Sequence, residues 1–341
     1  MQKESFVKAI QRRGKGMRTT MADNRNPAPD DQNVPASTHS DENEQWVILN
    51  PTSGTEDHAD DVRQFADERN YTIQETTHEE HAVQLAQDAA ANDVDRLAIA
   101  GGDGTLHEVV RGLVEVSALG KVTLGVIPTG TENIFATNIG VASIKEGFDL
   151  LDHGERRRID VGFAGGEPFV VSCIAGFPAE VSVAASSDLK ERFGSLAFVV
   201  AGLQELTAFE GLNIDLTAIS NGEETTWSGE TLCVLVGNVL QFVNRGGQAN
   251  VEDGHFDVVL IEQMPASDIL AEATAQRVFG RDTEHVLHVQ ASQLEIRGRG
   301  SDPITFSLDG ELNTHTELVL YADPQSLTVC VGSTYEDTHP E

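Results

Sequence analysis

The chain predicts an α/β fold with a doubly wound sheet, followed by a β-sandwich-like domain. Three observations predict it. From Gln45 to about residue 155, short apolar β-forming runs alternate with amphipathic helical stretches. After that point strand-like runs follow one another, split by turns rich in Gly, Asn and Asp. Three early strands also run straight into polar glycine turns, which is where open α/β sheets bind ligands.

The elements follow in order. WVILNP (46–51) reads as the first strand, closed by Pro51-Thr52-Ser53-Gly54, and a helical stretch covers Ala59–Arg69. TIQETT (72–77) is a second strand and HAVQLAQDAAAN (81–92) a second helix. RLAIAG (96–101) is a short apolar run of the kind covered on both faces in a parallel sheet. The next helix sets Leu106, Val109, Val110, Leu113 and Val114 on one stripe, and TLGVIP (123–128) is a fourth strand. A boundary is expected near Gly154–Arg158, where the charged Glu155–Arg158 either touches phosphates or, the favoured reading, is a solvated linker. Beyond it IDVGF, FVVSCIAG, LNIDLTAIS, TLCVLVGN, FDVVLIE, HVLHVQ, LEIRG and ITFSLDG are strand-like. Helices are expected near 179–209 and 268–278. The division is therefore residues 1–44, 45–155 and 156–336, with the last strands able to return to the first domain. Residues 1–44, rich in Pro, Asn, Asp and Ser, are expected to be disordered. Their first twenty residues are basic, which points either to an electrostatic tail or, the favoured reading, to translation starting at Met17 or Met21.

Composition excludes several classes. With 55 acidic against 23 basic residues, net −32, the surface repels phosphate backbones, so no nucleic acid partner is expected. Acidic residues spread along the chain and scarce lysine predict a halophilic protein, at home in a salty, haloarchaeal type of cytoplasm where screening removes self-repulsion. No apolar run approaches the roughly 20 residues that span a bilayer. The N-terminus has no apolar stretch behind its charges, so a cytoplasmic location is expected. Cys173, Cys233 and Cys330 are far apart and predict buried free thiols. His78-Glu79-Glu80-His81 lacks zinc-protease spacing, and neither a G-x-S-x-G elbow nor a G-x-x-x-x-G-K-[ST] loop occurs.

The run Gly101-Gly102-Asp103-Gly104-Thr105 joins the apolar strand to the striped helix. Backbone amides at such a junction point outward, and glycine lets an anion approach them. A carboxylate there repels bare phosphate, so Asp103 implies a magnesium ion or a substrate hydroxyl that must lose its proton. Thr105 either caps the helix or touches phosphate. Asn50–Gly54 and Ile127–Asn133 occupy equivalent strand ends, and one phosphate-rich ligand accounts for all three turns. Far downstream, Ser307–Glu311 places Asp309 and Glu311 two apart. Both face one side if the strand continues; the alternative is a solvated hairpin turn. The acidic stretch 251–257 is either a plain turn or a holder for a hard cation.

Taken together, LNPTSG, TTHEEHAVQLA, GGDGTLHEVVRGL, IPTGTENIFATNIG, Gly237-Asn238 with Gly246-Gly247, ANVEDGHFDVVLIE and SLDGE resemble the soluble lipid kinases of the diacylglycerol kinase and sphingosine kinase family, in the layout of its YegS-like branch. The resemblance spans about Trp46 to Gly332. It implies an ATP- and Mg²⁺-dependent kinase that phosphorylates a hydroxyl of a diacylglycerol-like lipid during transient membrane contact, with the active site in the cleft between the two domains. In it Asn50, Pro51, Thr52, Ser53 and Gly54, helped by Thr76 or Thr77, would wrap the nucleotide. Gly101, Gly102, Asp103, Gly104, Thr105, Leu106 and His107 would cradle phosphates, with Gly130, Thr131 and Asn133 beside them. Asp309 or Glu311 would take the proton, or else Asp103, the aspartate used by sphingosine-kinase-like members; the remaining carboxylates would help place Mg²⁺. A structural Mg²⁺ would take the Asp253 side chain and the backbone oxygens of Asn250 and His255. The resemblance leaves a homodimer open. Ile134 stands where the family usually has aspartate. A NAD kinase relative would explain GGDGT but not IPTGTEN or SLDGE, and a non-catalytic nucleotide or lipid sensor is the reading from another class.

Overall fold

The computed structural model describes residues 44–54, 57–176, 211–239, 250–263 and 285–335. Strands β1 (Gln45–Leu49), β2 (Thr72–Glu75), β3 (Arg96–Gly101) and β4 (Thr123–Pro128) form a parallel sheet in the order β2-β1-β3-β4. Helices α1 (Ala59–Glu68), α2 (His81–Ala91) and α3 (Asp103–Glu115) connect them in turn.

The period-2 alternation of the strands sorts the helices onto two faces. Val47, Leu49, Ala98 and Ala100 pack against Val62 and Ala66 of α1 and against Phe148 and Leu151 of α5 (Ile144–His153). Ile48, Leu97, Ile99 and Leu124 face the other way, onto Ala82, Leu85 and Ala86 of α2 and onto Leu106, Val109, Val110 and Leu113 of α3. This is the doubly wound arrangement that the periodicity predicts. The winding reverses between β1 and β3, so the crevice of such a sheet opens where Asn50 and Gly101 end their strands.

Beyond α4 (Ile134–Asn138) and α5 the chain enters β5 (Glu155–Ala164). Glu155–Arg158 is therefore strand, not linker: these residues pair antiparallel with Val331 back to Thr328. The expectation failed because charge was read as solvation, whereas an edge partner uses only the backbone and leaves charged side chains outward.

The remaining strands are β6 (Glu167–Phe169), β7 (Ser172–Gly176), β8 (Leu212–Ser220), β9 (Glu223–Gly237), β10 (Phe256–Glu262), β11 (Val286–Ala291), β12 (Gln293–Gly298), β13 (Ile304–Leu308), β14 (Glu311–His315) and β15 (Glu317–Val331). From β4 the hydrogen-bonded order runs β15-β12-β8-β9-β7-β13-β14, with β10 and β11 added to β9, and β5 and β6 added to β15. Phe169, Val234, Phe256, Leu294 and Phe306 fill the core of this β-sandwich. β15 pairs with β12 at one end and, past an irregularity between Asp323 and Leu327, lies parallel to β4 at Thr328 and Val329. The two sheets thus share one strand.

Cys173, Cys233 and Cys330 are buried and free, as their spacing predicts. Among the described residues no helix is long and apolar enough to cross a membrane. The helices expected near 179–209 and 268–278, and Gly246-Gly247, lie outside the described residues.

Candidate active site

Asn50 is the centre of the first turn. Its backbone N–H donates to the Ala100 carbonyl at 2.8 Å, which fixes the end of β1 against the end of β3. Its side-chain Nδ2 donates to Thr105 Oγ1 at 3.1 Å, and its Oδ1 accepts from Thr52 N and Thr52 Oγ1 at 3.1 and 3.0 Å. The Thr76 N–H donates to the Leu49 carbonyl at 2.9 Å, so the end of β2 lies alongside.

The third turn closes onto the other two. Ser53 Oγ lies 2.9 Å from Thr129 Oγ1, and Thr129 N donates to the Gly101 carbonyl at 3.3 Å. Gly54 has φ +55°, and a Cβ on it would stand 2.3 Å from the Thr129 carbonyl oxygen. A Cβ on Gly130 would stand 2.3 Å from Gly102 Cα, inside any tolerable contact. The turns touch backbone to backbone, and only glycine allows it. Residues drawn from three strand ends meet at the predicted crevice.

Gly104 differs from the others. Among the described residues a Cβ there would meet nothing within 4 Å beyond its own helix, although glycine in a helix costs about 1 kcal/mol relative to alanine. It faces open space in the first turn of α3, whose N-cap is Gly102 and which has no side-chain cap. The first amides of α3 therefore have no capping side chain in front of them.

Asp103, a candidate base, is engaged by the next helix. Its two carboxylate oxygens accept from Ile134 N and Phe135 N, each at 2.9 Å, and so cap α4. Burial pushes its carboxyl above the ordinary value; those amides work against the shift, and the negative charge of Asp309 adds to it. Asn133 sits at φ +52° with its side chain bonded back to Gly130 N and O at 2.9 and 2.8 Å, which holds the third turn in shape. Leu106 belongs to the core, so it contributes backbone alone at this surface. Thr77 bonds to the rings of His78 and His81, which stack 4.6 Å apart. Pro51 is half-buried, and Thr131 is exposed at the rim.

The downstream motif comes to the same place. Asp309 and Gly310 form a two-residue hairpin turn between Leu308 and Glu311, with φ +48° and +105°. The strand does not continue through them, so the two acidic side chains part instead of sharing a side. The Asp309 side chain is 0 % exposed and lies 3.2 Å from His107 Nδ1. It also accepts from the successive amides of Val170 (2.8 Å), Val171 (2.8 Å) and Ser172 (2.9 Å). Three consecutive amides make an anion nest, here filled by a carboxylate of the chain itself. Glu311 is exposed at the tip.

Asn250, Asp253 and His255 have other partners. Asp253 Oδ1 accepts from His255 N at 2.9 Å, and Asn250 Oδ1 from Glu252 N at 3.0 Å. Asp160, 0 % exposed, accepts from Gly254 N at 2.6 Å and Gln325 N at 2.7 Å, tying this turn to β5 and β15. Burial pushes the Asp160 carboxyl up to about 6, with Asp253 and Glu252 adding to the shift. One carboxylate with backbone oxygens is donor chemistry that suits a hard cation. Among the described residues, however, no three His, Cys, Asp or Glu side chains gather as a metal cluster.

Several contributors are absent from the site residues that the sequence leads one to expect. Thr129 lies in the third turn, and the amides of residues 170–172 carry no side-chain signature. His58 is a single histidine, 3.1 Å from the Asn50 carbonyl. Asn238 Nδ2 donates to the carbonyls of Asp160 and Val170 at 3.1 and 3.2 Å, which supports the Asp309 nest from behind.

Comparison with known proteins agrees with this geometry. Residues 44–164 match the diacylglycerol kinase catalytic domain, and residues 171–331 match the YegS C-terminal NAD kinase beta sandwich-like domain. A diacylglycerol kinase of Bacillus subtilis (strain 168) is 29 % identical over 276 residues, 78 % of this chain and 88 % of that protein. A protein named as a YegS-like lipid kinase, from Shewanella frigidimarina (strain NCIMB 400), is 28 % identical over 67 % of this chain and 74 % of its own length. A solved structure put forward as a diacylglycerol kinase from Bacillus anthracis str. Sterne shares the fold. Its TM-score is 0.69 at 23 % identity, covering 85 % of this chain and 97 % of that one. With both halves matched in order and the glycine turns assembled at one crevice, the chain belongs to the diacylglycerol kinase and YegS-type family of lipid kinases, phosphotransferases with an alcohol acceptor.

Proposed function

We propose that the protein transfers the γ-phosphoryl group of ATP to a hydroxyl of a diacylglycerol-like lipid, with Glu311 as the base. The observation that carries the reading is Gly104: the cradle leaves a side chain out where no protein atom needs the room, in front of uncapped helix amides. A triphosphate suits that opening. Asn50, Thr52, Ser53 and Gly54 would hold one side of it, and Gly101 to Thr105 with Gly130 and Thr131 the other.

A base must present a lone pair to the substrate. Asp103 directs its oxygens to the amides of α4, and Asp309 is enclosed by four donors. Glu311 is exposed two residues from Asp309, on a hairpin that Asp309 pins to α3 through His107. The lipid hydroxyl oxygen would attack the γ-phosphorus in line, ADP would leave with the bridging oxygen, and the hydroxyl proton would pass to Glu311. Mg²⁺, where bound, neutralises charge on the transferring group. Asn250, Asp253 and His255 would hold a further ion in a structural role. The lipid would be met by transient contact with a membrane surface.

The test uses labelled ATP, Mg²⁺ and diacylglycerol in mixed micelles, with NAD as a competing acceptor. Labelled phosphatidic acid is expected. Glu311→Gln should lower kcat by about 10²- to 10⁴-fold, the usual span for a general base. Full turnover in that variant removes the base assignment, and label in NAD in place of lipid removes the lipid reading.

A further inference from the structure

His58 has no role in any motif, yet its surroundings are unusual on two counts. It is the N-cap residue of α1 but gives that helix no side-chain cap, a position where Ser, Thr, Asp or Asn is preferred. Its ring is turned instead to the first glycine turn, with Nε2 3.1 Å from the Asn50 carbonyl oxygen and 3.3 Å from Ser53 Oγ. A carbonyl oxygen accepts and cannot donate, so Nε2 carries the hydrogen. Nδ1 then lies buried with no hydrogen-bond partner among the described residues. The residue as a whole is 8 % exposed.

An apolar residue would fill this space without an unmet polar atom, and a hydroxyl or carboxylate would cap the helix. The sole polar return on a histidine here is the bond to the turn. That turn is a closed circuit. The Asn50 carbonyl accepts from His58 Nε2 and Ser53 Oγ, the Asn50 side chain reaches Thr105 in the second turn, and Ser53 Oγ reaches Thr129 in the third. Departures from local satisfaction of this kind collect at functional sites.

We infer that His58 is a positioning residue for nucleotide binding: its Nε2–H holds the Asn50 carbonyl and so sets the Thr52–Gly54 loop against the second and third turns. The inference rests on the proposed kinase reading and adds to it the residue that shapes the ATP side of the cleft. His58 acts through Asn50 and touches no reacting atom, so it bears on ATP affinity and not on the chemical step. A glutamine, whose amide N–H can reach the same carbonyl, should restore most of what alanine removes.

The experiment compares wild type, His58→Ala and His58→Gln in steady-state kinetics and in calorimetric titration with ATP, with folding checked by thermal melting. For His58→Ala the KM for ATP and the ATP dissociation constant should each rise about 5- to 10-fold, as expected for one lost neutral hydrogen bond, with kcat and the lipid KM changed less than about twofold. His58→Gln should come back to within about threefold of wild type in both ATP constants. Wild-type ATP affinity in His58→Ala overturns the inference and leaves the kinase reading standing. So does a glutamine variant as impaired as alanine while melting like wild type, because the bond to Asn50 would then not be the cause. If His58→Ala fails to fold, the glutamine variant and wild type still decide it: a folded glutamine variant with ATP constants raised 5-fold or more overturns it. A wild-type protein that binds no ATP overturns the kinase reading itself, and this inference with it.

Discussion

Asp309 accepts hydrogen bonds from three consecutive backbone amides and faces His107, with no part of its side chain exposed. Its chemistry is that of a clamp: it fastens the β13–β14 hairpin to the chain at 170–172 and to α3. Asparagine at this position would set an NH₂ group against N–H donors. Asp309→Asn is therefore expected to lose about 2–4 kcal/mol of stability in urea unfolding, the range for an uncompensated buried polar contact. Glu311→Gln, on an exposed side chain, should stay within about 0.5 kcal/mol of wild type. If the asparagine variant unfolds like wild type, the clamp reading is wrong and Asp309 returns as a candidate base. A sequence motif presents the two carboxylates of SLDGE as equals; the type of turn between them makes one structural and leaves the other available.

The elements divide into those whose pattern was sufficient and those that depend on a partner. The buried run of β3 and the stripe of α3 were readable because burial repeats with the period of the backbone. α5 carried a readable signal that periodicity alone does not use: Ser143 caps it by accepting from Glu146 N at 3.2 Å, and Glu146 reaches back to Ala142 N at 2.9 Å. α5 matters to the sheet through Phe148, which is fully buried, stacks on Phe65 at 5.9 Å and meets Tyr71 edge-on at 5.7 Å. Phe148→Ala should cost about 3–5 kcal/mol, measured by denaturant unfolding. A loss under 1 kcal/mol would mean that α1 and α5 collapse onto the vacancy. β14 was not predicted, because a strand with exposed polar residues is defined by the ladder it joins.

At the scale of the whole molecule, Asp160 joins pieces far apart in sequence: β5, the turn at Gly254 and the bend at Gln325. Its carboxyl titrates near 6 in the folded chain, against an ordinary value of 3.8. The folded state thus holds its proton more tightly than the unfolded state does. Its contribution to stability is full below about pH 4 and is lost as pH rises through about 6. Relative to Asp160→Asn, which cannot titrate, wild type should lose about 2–3 kcal/mol between pH 4 and pH 7 in urea unfolding at fixed salt. A flat difference across that range would mean that a cation or rearranged neighbours compensate the charge. Arg157, paired with Glu252 at 2.8 Å and lying over the Tyr335 ring, supplies positive charge to this corner.

By itself the sequence determined the α/β order, the three glycine turns at strand ends and the family, because local backbone preference and short motifs lie in neighbouring residues. It also marked most of the residues that line the crevice at those turns, Thr129 and His58 excepted. The tertiary structure alone decided what each one does. Whether a carboxylate is a base or a clamp depends on which amides reach it, and for Asp309 those amides come from a segment more than a hundred residues away. The same holds for His58, whose ring has meaning only beside the Asn50 carbonyl, and for the shared strand β15, whose partners are set by the folded sheets. Hydrogen bonding and burial act through space, and spacing along a chain records them only where the contact is local.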